Sequence, residues 1–224
     1  MISVLLPVYN RDQYLAEAIN SILNQKHKGF ELIVVDDGST DSTPDLLRWY
    51  VAKDKRIKVF TNEKNMGIAY TRNRAISESS GEYIAVMDSD DVANPNRLEK
   101  SLKMIKNVDF VYSHYLQANQ DAQVEGGIEA PAKLTIPNII EGFTAPHVTI
   151  LAKRKCFIEH PYDNRFKVND DLALVCSWVK AGYTYKLINQ PLMIVRYHEN
   201  SASKTRDKEV KEFTELVRKE FDVK

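Results

Sequence analysis

Four short apolar runs, 2–8, 31–35, 57–60 and 83–87, recur about every 25 to 30 residues through the first half of the chain. Between them lie stretches whose apolar residues fall at helical spacing, such as Leu15, Ile19, Ile22 and Leu23. Runs this short and mostly apolar, with Ser3, Glu31 and Lys58 as the exceptions, suit buried strands. Their alternation with helices predicts an α/β fold with a mixed, mainly parallel central sheet flanked by helices. Asp12 is expected to cap the first helix, Pro44 to lie early in the second, and Gly81 to stop the third.

In such sheets ligands collect outside the carboxyl ends of the strands. Four polar segments fall at those ends: Val8-Tyr9-Asn10, Asp36-Asp37-Gly38-Ser39, the loop from Asn62 to Gly67, and Asp88-Ser89-Asp90-Asp91. Four loops on one edge make a site. The last is the most telling, because three carboxylates crowded at a strand end repel one another. A hard divalent cation, Mg²⁺ or Mn²⁺, relieves that repulsion with oxygen ligands; a solvated acidic turn is the plainer reading.

After residue 106 the pattern changes. Further strands are expected at Phe110–Tyr112 and Val148–Leu151, with an unstructured loop over 117–133. A helix is expected over 171–181 ending at Gly182, then a strand-rich segment over 186–196. A C-terminal helix over 207–221 carries Val210, Phe213, Val217 and Phe221 at helical spacing and is expected to pack on the rest of the chain. The expected organisation is one domain over 1–224, with a first half (1–106), a second half (107–203) and a C-terminal helix (204–224).

Lys+Arg and Asp+Glu each total 31, giving a formal net charge of zero. That balance argues against nucleic acid as a partner, which requires a basic face. Cys156 and Cys176 lack metal-ligand spacing and are expected to be buried free thiols. The N-terminal residues lack a basic leader, and no stretch reaches the roughly 20 apolar residues of a membrane span. The expected location is the cytoplasm, with peripheral contact at the inner face of the membrane as its variant.

The motifs, in order, resemble those of the family 2 glycosyltransferases, inverting enzymes of the Rossmann-like GT-A fold that use nucleotide-diphospho-sugars. The resemblance runs through residues 3–10, 31–41, Asn65-Met66-Gly67-Ile68-Ala69 with Arg72-Asn73, Gly81-Glu82-Tyr83-Ile84 and Asp88-Ser89-Asp90-Asp91. It implies that Pro7 and Tyr9 wall the nucleobase, the tyrosine offering a stacking face. Asp37 would accept the imide N–H of uracil, favouring a UDP-sugar donor. Asp36 would instead cap local backbone amides. Arg72 would approach the phosphates. Asp88 and Ser89 would contact the nucleotide, Asp88 through the ribose hydroxyls. Asp90 would bind the metal, and Asp91 would orient its neighbours.

In the second half, the family's Glu-Asp before an apolar helix corresponds to Asp170-Asp171, with Gly182 at the matching distance. Asp171 is the implied catalytic base, and Asp170 stands where glutamate is usual. Arg196-Tyr197-His198-Glu199-Asn200-Ser201 resembles the family's Arg-x-His-x-x-Ser segment, making His198 a metal ligand or a diphosphate donor. His147 is a candidate for the acceptor site.

The implied reaction is metal-dependent transfer, with inversion, from a UDP-sugar to a glycan or glycolipid hydroxyl, in polysaccharide or glycolipid assembly. Two alternatives stand beside it: a non-catalytic sugar-nucleotide-binding module, and a sugar nucleotidyltransferase. The second is disfavoured because 6–11 lack the glycine-rich basic loop that a triphosphate requires.

Overall fold

The computed structural model describes residues 1–199 and 207–222, the side chains of 207–210 and 213 excepted. The expected roles of Asn200, Ser201, Val210 and Phe213 therefore lie outside the described residues. The first half folds as β1 (Ile2–Val8), α1 (Asp12–Leu23), β2 (Phe30–Asp36), α2 (Thr43–Lys53), β3 (Ile57–Thr61), α3 (Ile68–Glu78) and β4 (Tyr83–Val86). Then follow β5 (Val92–Ala93), α4 (Arg97–Met104), β6 (Phe110–Ala118), β7 (Val124–Ile128), α5 (Ile136–Ile140), β8 (Leu151–Lys153) and α6 (Arg154–Glu159). The chain continues as α7 (Asp170–Lys180), β9 (Tyr185–Arg196) and α8 (Asp207–Glu220).

One sheet spans both halves in the order β3-β2-β1-β4-β8-β6-β9-β5, with β7 paired to β6. The pairs β3–β2, β2–β1 and β1–β4 are parallel. β8 is antiparallel to both β4 and β6, whereas β6 and β9 are parallel. Period-two alternation sends successive β1 side chains to opposite cores. Val4 and Leu6 pack with Leu15, Ile19 and Ile22 of α1 and Leu47 of α2. Leu5 joins Ala69, Ala75 and Ile76 of α3 and, farther along the same layer, Trp178 of α7. Both faces of β1 and β2 are covered, which is why those strands read as nearly continuous apolar runs, whereas the edge strand β3 is buried only at Ile57.

Several local expectations need correcting. Arg11, not Asp12, is the N-cap of α1; Asp12 lies in the first turn, where its charge suits the helix dipole. Its amide donates to Asp41, which also receives the Thr43 amide and so ties the starts of α1 and α2 together. α3 stops at Glu78, before Gly81. Gly81 serves a close approach instead: a Cβ there would lie 2.6 Å from the Ser3 nitrogen.

The β-branched run from Val148 opens as a 3-10 turn, His147–Thr149, and the strand begins only at Leu151. The Pro146 carbonyl captures both the amide and the hydroxyl of Thr149, which closes the turn. The segment 117–133 contains β7, a strand exposed along its whole length and therefore without the apolar alternation that marks one. Asn119 builds its turn by accepting from the amides of Asp121 and Gln123. Cys156 and Cys176 are buried and free. Among the described residues no helix is long and apolar enough to cross a membrane.

Candidate functional site

The four strand-end loops meet at the carboxyl edge of the sheet through hydrogen bonds between them. The Asn10 amide donates to Ser39 Oγ at 2.9 Å, and Asn10 Oδ1 accepts the Thr40 amide at 2.8 Å. The Asp37 amide donates to the Val8 carbonyl, and the Asn62 amide to the Asp36 carbonyl. Asp36 itself is buried, and its Oδ1 accepts the Ser39 amide, so it caps its own turn.

Asp37 organises the third loop. Its Oδ1 accepts from Asn62 Nδ2 (2.6 Å) and the Met66 amide (2.8 Å), and its Oδ2 from the Gly67 amide (2.9 Å). A carboxylate offers about four lone-pair positions, so one acceptor position remains for a ligand N–H. Gly67 has φ +93°, a backbone state that glycine adopts freely as the chain enters α3. Pro7 is buried in β1 opposite Val35, while Tyr9, two residues on, keeps 40% of its surface exposed. Of these two expected base-contacting residues, only Tyr9 presents substantial surface.

At the end of β4 the carboxylates diverge in their surroundings. Asp88 Oδ1 pairs with Arg72 Nη2 at 3.1 Å. Asp90 Oδ2 lies 3.0 Å from His198 Nε2 and 3.3 Å from Arg11 Nε. Asp91 is buried and accepts the Arg196 amide at 2.9 Å. Burial pushes the Asp88 carboxyl above its ordinary range despite Arg72. Burial, reinforced by Asp90 and Asp88, pushes Asp91 well above its own. Ser89, between them, is buried.

Arg72 joins this cluster to the opposite wall. It is buried in α3, with Nη1 2.7 Å from Asp170 Oδ2 and its guanidinium carbon 5.5 Å from the Tyr162 ring centroid. Burial opposes its charge, but Asp170 and Asp88 outweigh that and hold it above its usual range. Asp170, at the glutamate position, is thus committed to Arg72. Asp171, the next residue, is only partly buried by surface. Desolvation, with Asp170 beside it, pushes its carboxyl up to about 6 despite Arg72.

His147 is buried, with Nε2 2.7 Å from the Tyr162 hydroxyl, and burial drives its pKa well below the ordinary value. It supports Tyr162 from behind and presents little surface to an acceptor.

Two arginines carry structural work that the motifs did not assign. Arg196, at the end of β9, donates Nε to the Asp90 carbonyl and Nη1 to the Gln120 carbonyl, pairs with Glu17, and lies 4.8 Å from the Tyr14 ring centroid. Tyr14 also packs tilted on His198, with centroids 4.8 Å apart. Arg97 is buried behind β4, where it donates to the carbonyls of Val86 and Val148 and is pushed down to about 10 by burial. In the sequence, Arg97 carries no mark of this role: it is the first residue of α4, whose buried positions are Arg97, Leu98 and Ser101.

Asp90 and His198 fit a divalent cation. Two neighbouring ligands about 2.1 Å from an octahedral ion lie about 3 Å apart, matching their present separation. An oxygen–imidazole pair suits Mn²⁺ and accommodates Mg²⁺. Among the described residues no group of three or more His, Cys, Asp or Glu side chains could hold a metal, so diphosphate and water would complete the shell.

Comparison with known proteins follows this geometry. Residues 3–149 match the family model described as glycosyl transferase family 2. TuaG of Bacillus subtilis (strain 168), named for teichuronic acid biosynthesis, is 34% identical over 214 residues, covering 94% of this chain and 84% of its own length. WfgD of Escherichia coli, a UDP-Glc:alpha-D-GlcNAc-diphosphoundecaprenol beta-1,3-glucosyltransferase, is 32% identical over 217 residues, covering 94% and 83%. Other relatives are longer: the chain spans only 26% of an uncharacterized glycosyltransferase of Rickettsia bellii, at 34% identity. Among solved structures, S. aureus TarS 1-349 in complex with UDP-GlcNAc superposes with a TM-score of 0.77 at 21% identity, covering 96% of this chain and 66% of that one. A mannosyltransferase of Pyrobaculum calidifontis with GDP-Man and Mn²⁺ gives 0.69 at 16%, covering 89% and 58%. At these identities the two structures speak to the backbone fold alone.

Proposed function

The chain belongs to glycosyl transferase family 2 and has the GT-A fold, and we propose that it transfers a sugar, with inversion, from a UDP-sugar to a hydroxyl of a glycan or glycolipid acceptor. The observation that carries this reading is the placement of Asp171. It is a carboxyl pushed up to about 6, one residue from the Asp170–Arg72–Asp88 bridge that leads to the acidic strand end. A base of that strength is ionised at neutral pH yet holds a proton better than an ordinary aspartate.

In this reading Asp171 accepts the proton of the acceptor hydroxyl as that oxygen bonds to the anomeric carbon. The bond from that carbon to the diphosphate breaks on the opposite face, and its electron pair leaves with the nucleotide. Tyr9 and Pro7 border the base, Asp37 offers its remaining acceptor position to the uracil imide, and Asp88 and Ser89 meet the nucleotide. Arg72 supplies fixed positive charge beside the diphosphate while it holds Asp88 and Asp170. A Mn²⁺ or Mg²⁺ bound by Asp90 and His198 would offset the charge that develops on the leaving group.

In this reading residues 1–106 make the donor half and 107–203 the acceptor and catalytic half, and the C-terminal part (204–224) contributes α8 (Asp207–Glu220). The WfgD acceptor, a lipid diphosphate-linked sugar, supports a glycolipid substrate; in this reading it is met at the cytoplasmic face of a membrane. The test is UDP release across a panel of UDP-sugars with Mn²⁺, Mg²⁺ or EDTA, with Asp171→Asn alongside. Metal-dependent release from one donor, lost in the variant, is the expected outcome. Stoichiometric UDP binding without release, even with lipid diphosphate-linked acceptors supplied, would replace the transferase reading with a binding module.

A further inference from the structure

The turn that launches α7 is held in an unusual state from outside α7. Asn169, its N-cap residue, has φ 59° and ψ 20°, the left-handed region, which asparagine adopts more readily than other side chains with a Cβ. Asparagine is a strong N-cap residue, yet here its side chain makes no capping hydrogen bond to its own helix. Its Nδ2 donates instead to Thr214 Oγ1 of α8 at 2.9 Å. α8 is itself anchored: Val217 is fully buried in the core, Phe221 packs against that core, and Glu220 lies 3.3 Å from Arg165. Lys180, at the far end of α7, sits 5.3 Å from the Phe221 ring centroid, so both ends of α7 touch the C-terminal segment.

The two residues after Asn169 separate at this turn. Asp170 points inward to Arg72 at 2.7 Å, while Asp171 stays partly exposed beside it. A residue in ordinary extended or helical backbone at 169 would rotate the start of α7 and redirect both carboxylates.

We propose that Asn169 and Thr214 are positioning residues for Asp171, making the C-terminal helix part of the geometry of the catalytic base. The proposal rests on the assignment of Asp171 as base. Thr214 fixes the Asn169 amide, the amide fixes the left-handed turn, and the turn sets Asp171 against its charged neighbours Asp170, Arg72 and Asp88, near Tyr162.

The test uses the full chain, UDP release from its preferred UDP-sugar, and pH profiles of kcat and kcat/KM. The variants are Thr214→Val, Thr214→Ser and Asn169→Gly, with Asp171→Asn as control. Thr214→Val keeps the shape and removes the hydroxyl; Asn169→Gly keeps the backbone freedom and removes the amide. Each is expected to lower kcat by about 10- to 100-fold, the range for a displaced catalytic group, with donor KM unchanged. The acid limb of the kcat/KM profile should move to lower pH as Asp171 loosens into solvent. Thr214→Ser should restore both readouts.

Parental kcat and an unmoved acid limb in Thr214→Val and Asn169→Gly, with Asp171→Asn inactive, would overturn this inference and leave the base assignment standing. So would a loss confined to melting temperature with kcat intact. Parental UDP release by Asp171→Asn would remove the base assignment first, and this inference with it.

Discussion

At the amino edge of the sheet Glu31 is 5% exposed, and at the carboxyl edge Asp91 is 2% exposed, so burial treats the two acids alike. Their neighbours do not. Glu31 accepts from the Ser3 hydroxyl, the Ser80 amide and hydroxyl, and Lys58 Nζ, all within 2.8 Å. Burial alone would raise its pKa, but those donors win and bring it down to about 2. Asp91 takes a bond from the Arg196 amide and faces Asp90 and Asp88, and its carboxyl is pushed well up. One edge spends its acid on structure; at the other, burial and neighbouring like charges keep Asp88, Asp91 and Asp171 raised, a perturbation of the kind that clusters at functional sites. The donors aimed at a carboxylate, together with its depth and its charged neighbours, decide which kind of group it becomes.

The largest effect that would sharpen this contrast is Asp171→Asn. General-base catalysis is worth about 10²- to 10⁴-fold, so kcat should fall by about a thousandfold while calorimetric UDP affinity holds. Parental turnover would place the proton acceptor elsewhere.

Next in size is Glu31→Ala at the opposite edge, which should destabilise the fold by about 3 kcal/mol without altering kcat at temperatures below melting. The folded pKa of Glu31 is depressed from 4.5 to about 2. Its contribution is therefore present above about pH 4.5 and is lost as pH falls toward 2. Denaturant titrations of parent and variant should converge across that window; a constant gap would remove the ionised Glu31 network as the cause.

Asp90→Ala should weaken UDP binding by about tenfold when Mn²⁺ is present and leave metal-free binding unchanged. Equal affinities in both conditions would dissociate Asp90 from the cation.

The smallest effects concern the raised acid. With its folded pKa near 6, Asp171 loses stability for the protein as pH rises from about 4 to 6, the reverse of Glu31. Asp171→Asn should therefore be more stable than the parent at pH 7, by about 1–2 kcal/mol after allowance for partial exposure, and no more stable at pH 3.5. In the parent, kcat/KM should fall about tenfold per pH unit below about 6. A flat profile down to pH 4.5 would contradict the raised carboxyl.

The parallel half of the sheet was legible because strands buried on both faces have to be apolar through their middles, and β1, β2 and β4 are, with Ser3, Glu31 and Asp36 falling near strand ends. The loops at their ends followed from the rule that such sheets bind at the carboxyl edge. What sequence did not convey depends on distant pairing. Arg196 meets Asp91 across 105 residues, and Arg72 meets Asp170 across 98, so neither partner could be read from local spacing. β7 escaped notice because both its faces are exposed, which leaves its turn residues as its only mark. Asp12 misled for a different reason: an acidic residue before a helix suits both the cap and the first turn, and hydrogen bonding to Asp41 decided between them.

β8 is three residues long, yet it governs the parity of the whole sheet. Being antiparallel to β4 on one side and to β6 on the other, it reverses direction twice, so β6 and β9 run the same way as β1 to β4. Arg196 and, two residues on, His198 consequently emerge on the same edge as Asp90, although they come from the far half of the chain. A variant with one further antiparallel strand spliced between β4 and β6 would deliver His198 to the wrong end of the sheet. The meeting of the two halves at one edge thus depends on an even number of antiparallel pairings between β4 and β9, so a strand insertion here is tolerable only where it keeps that number even.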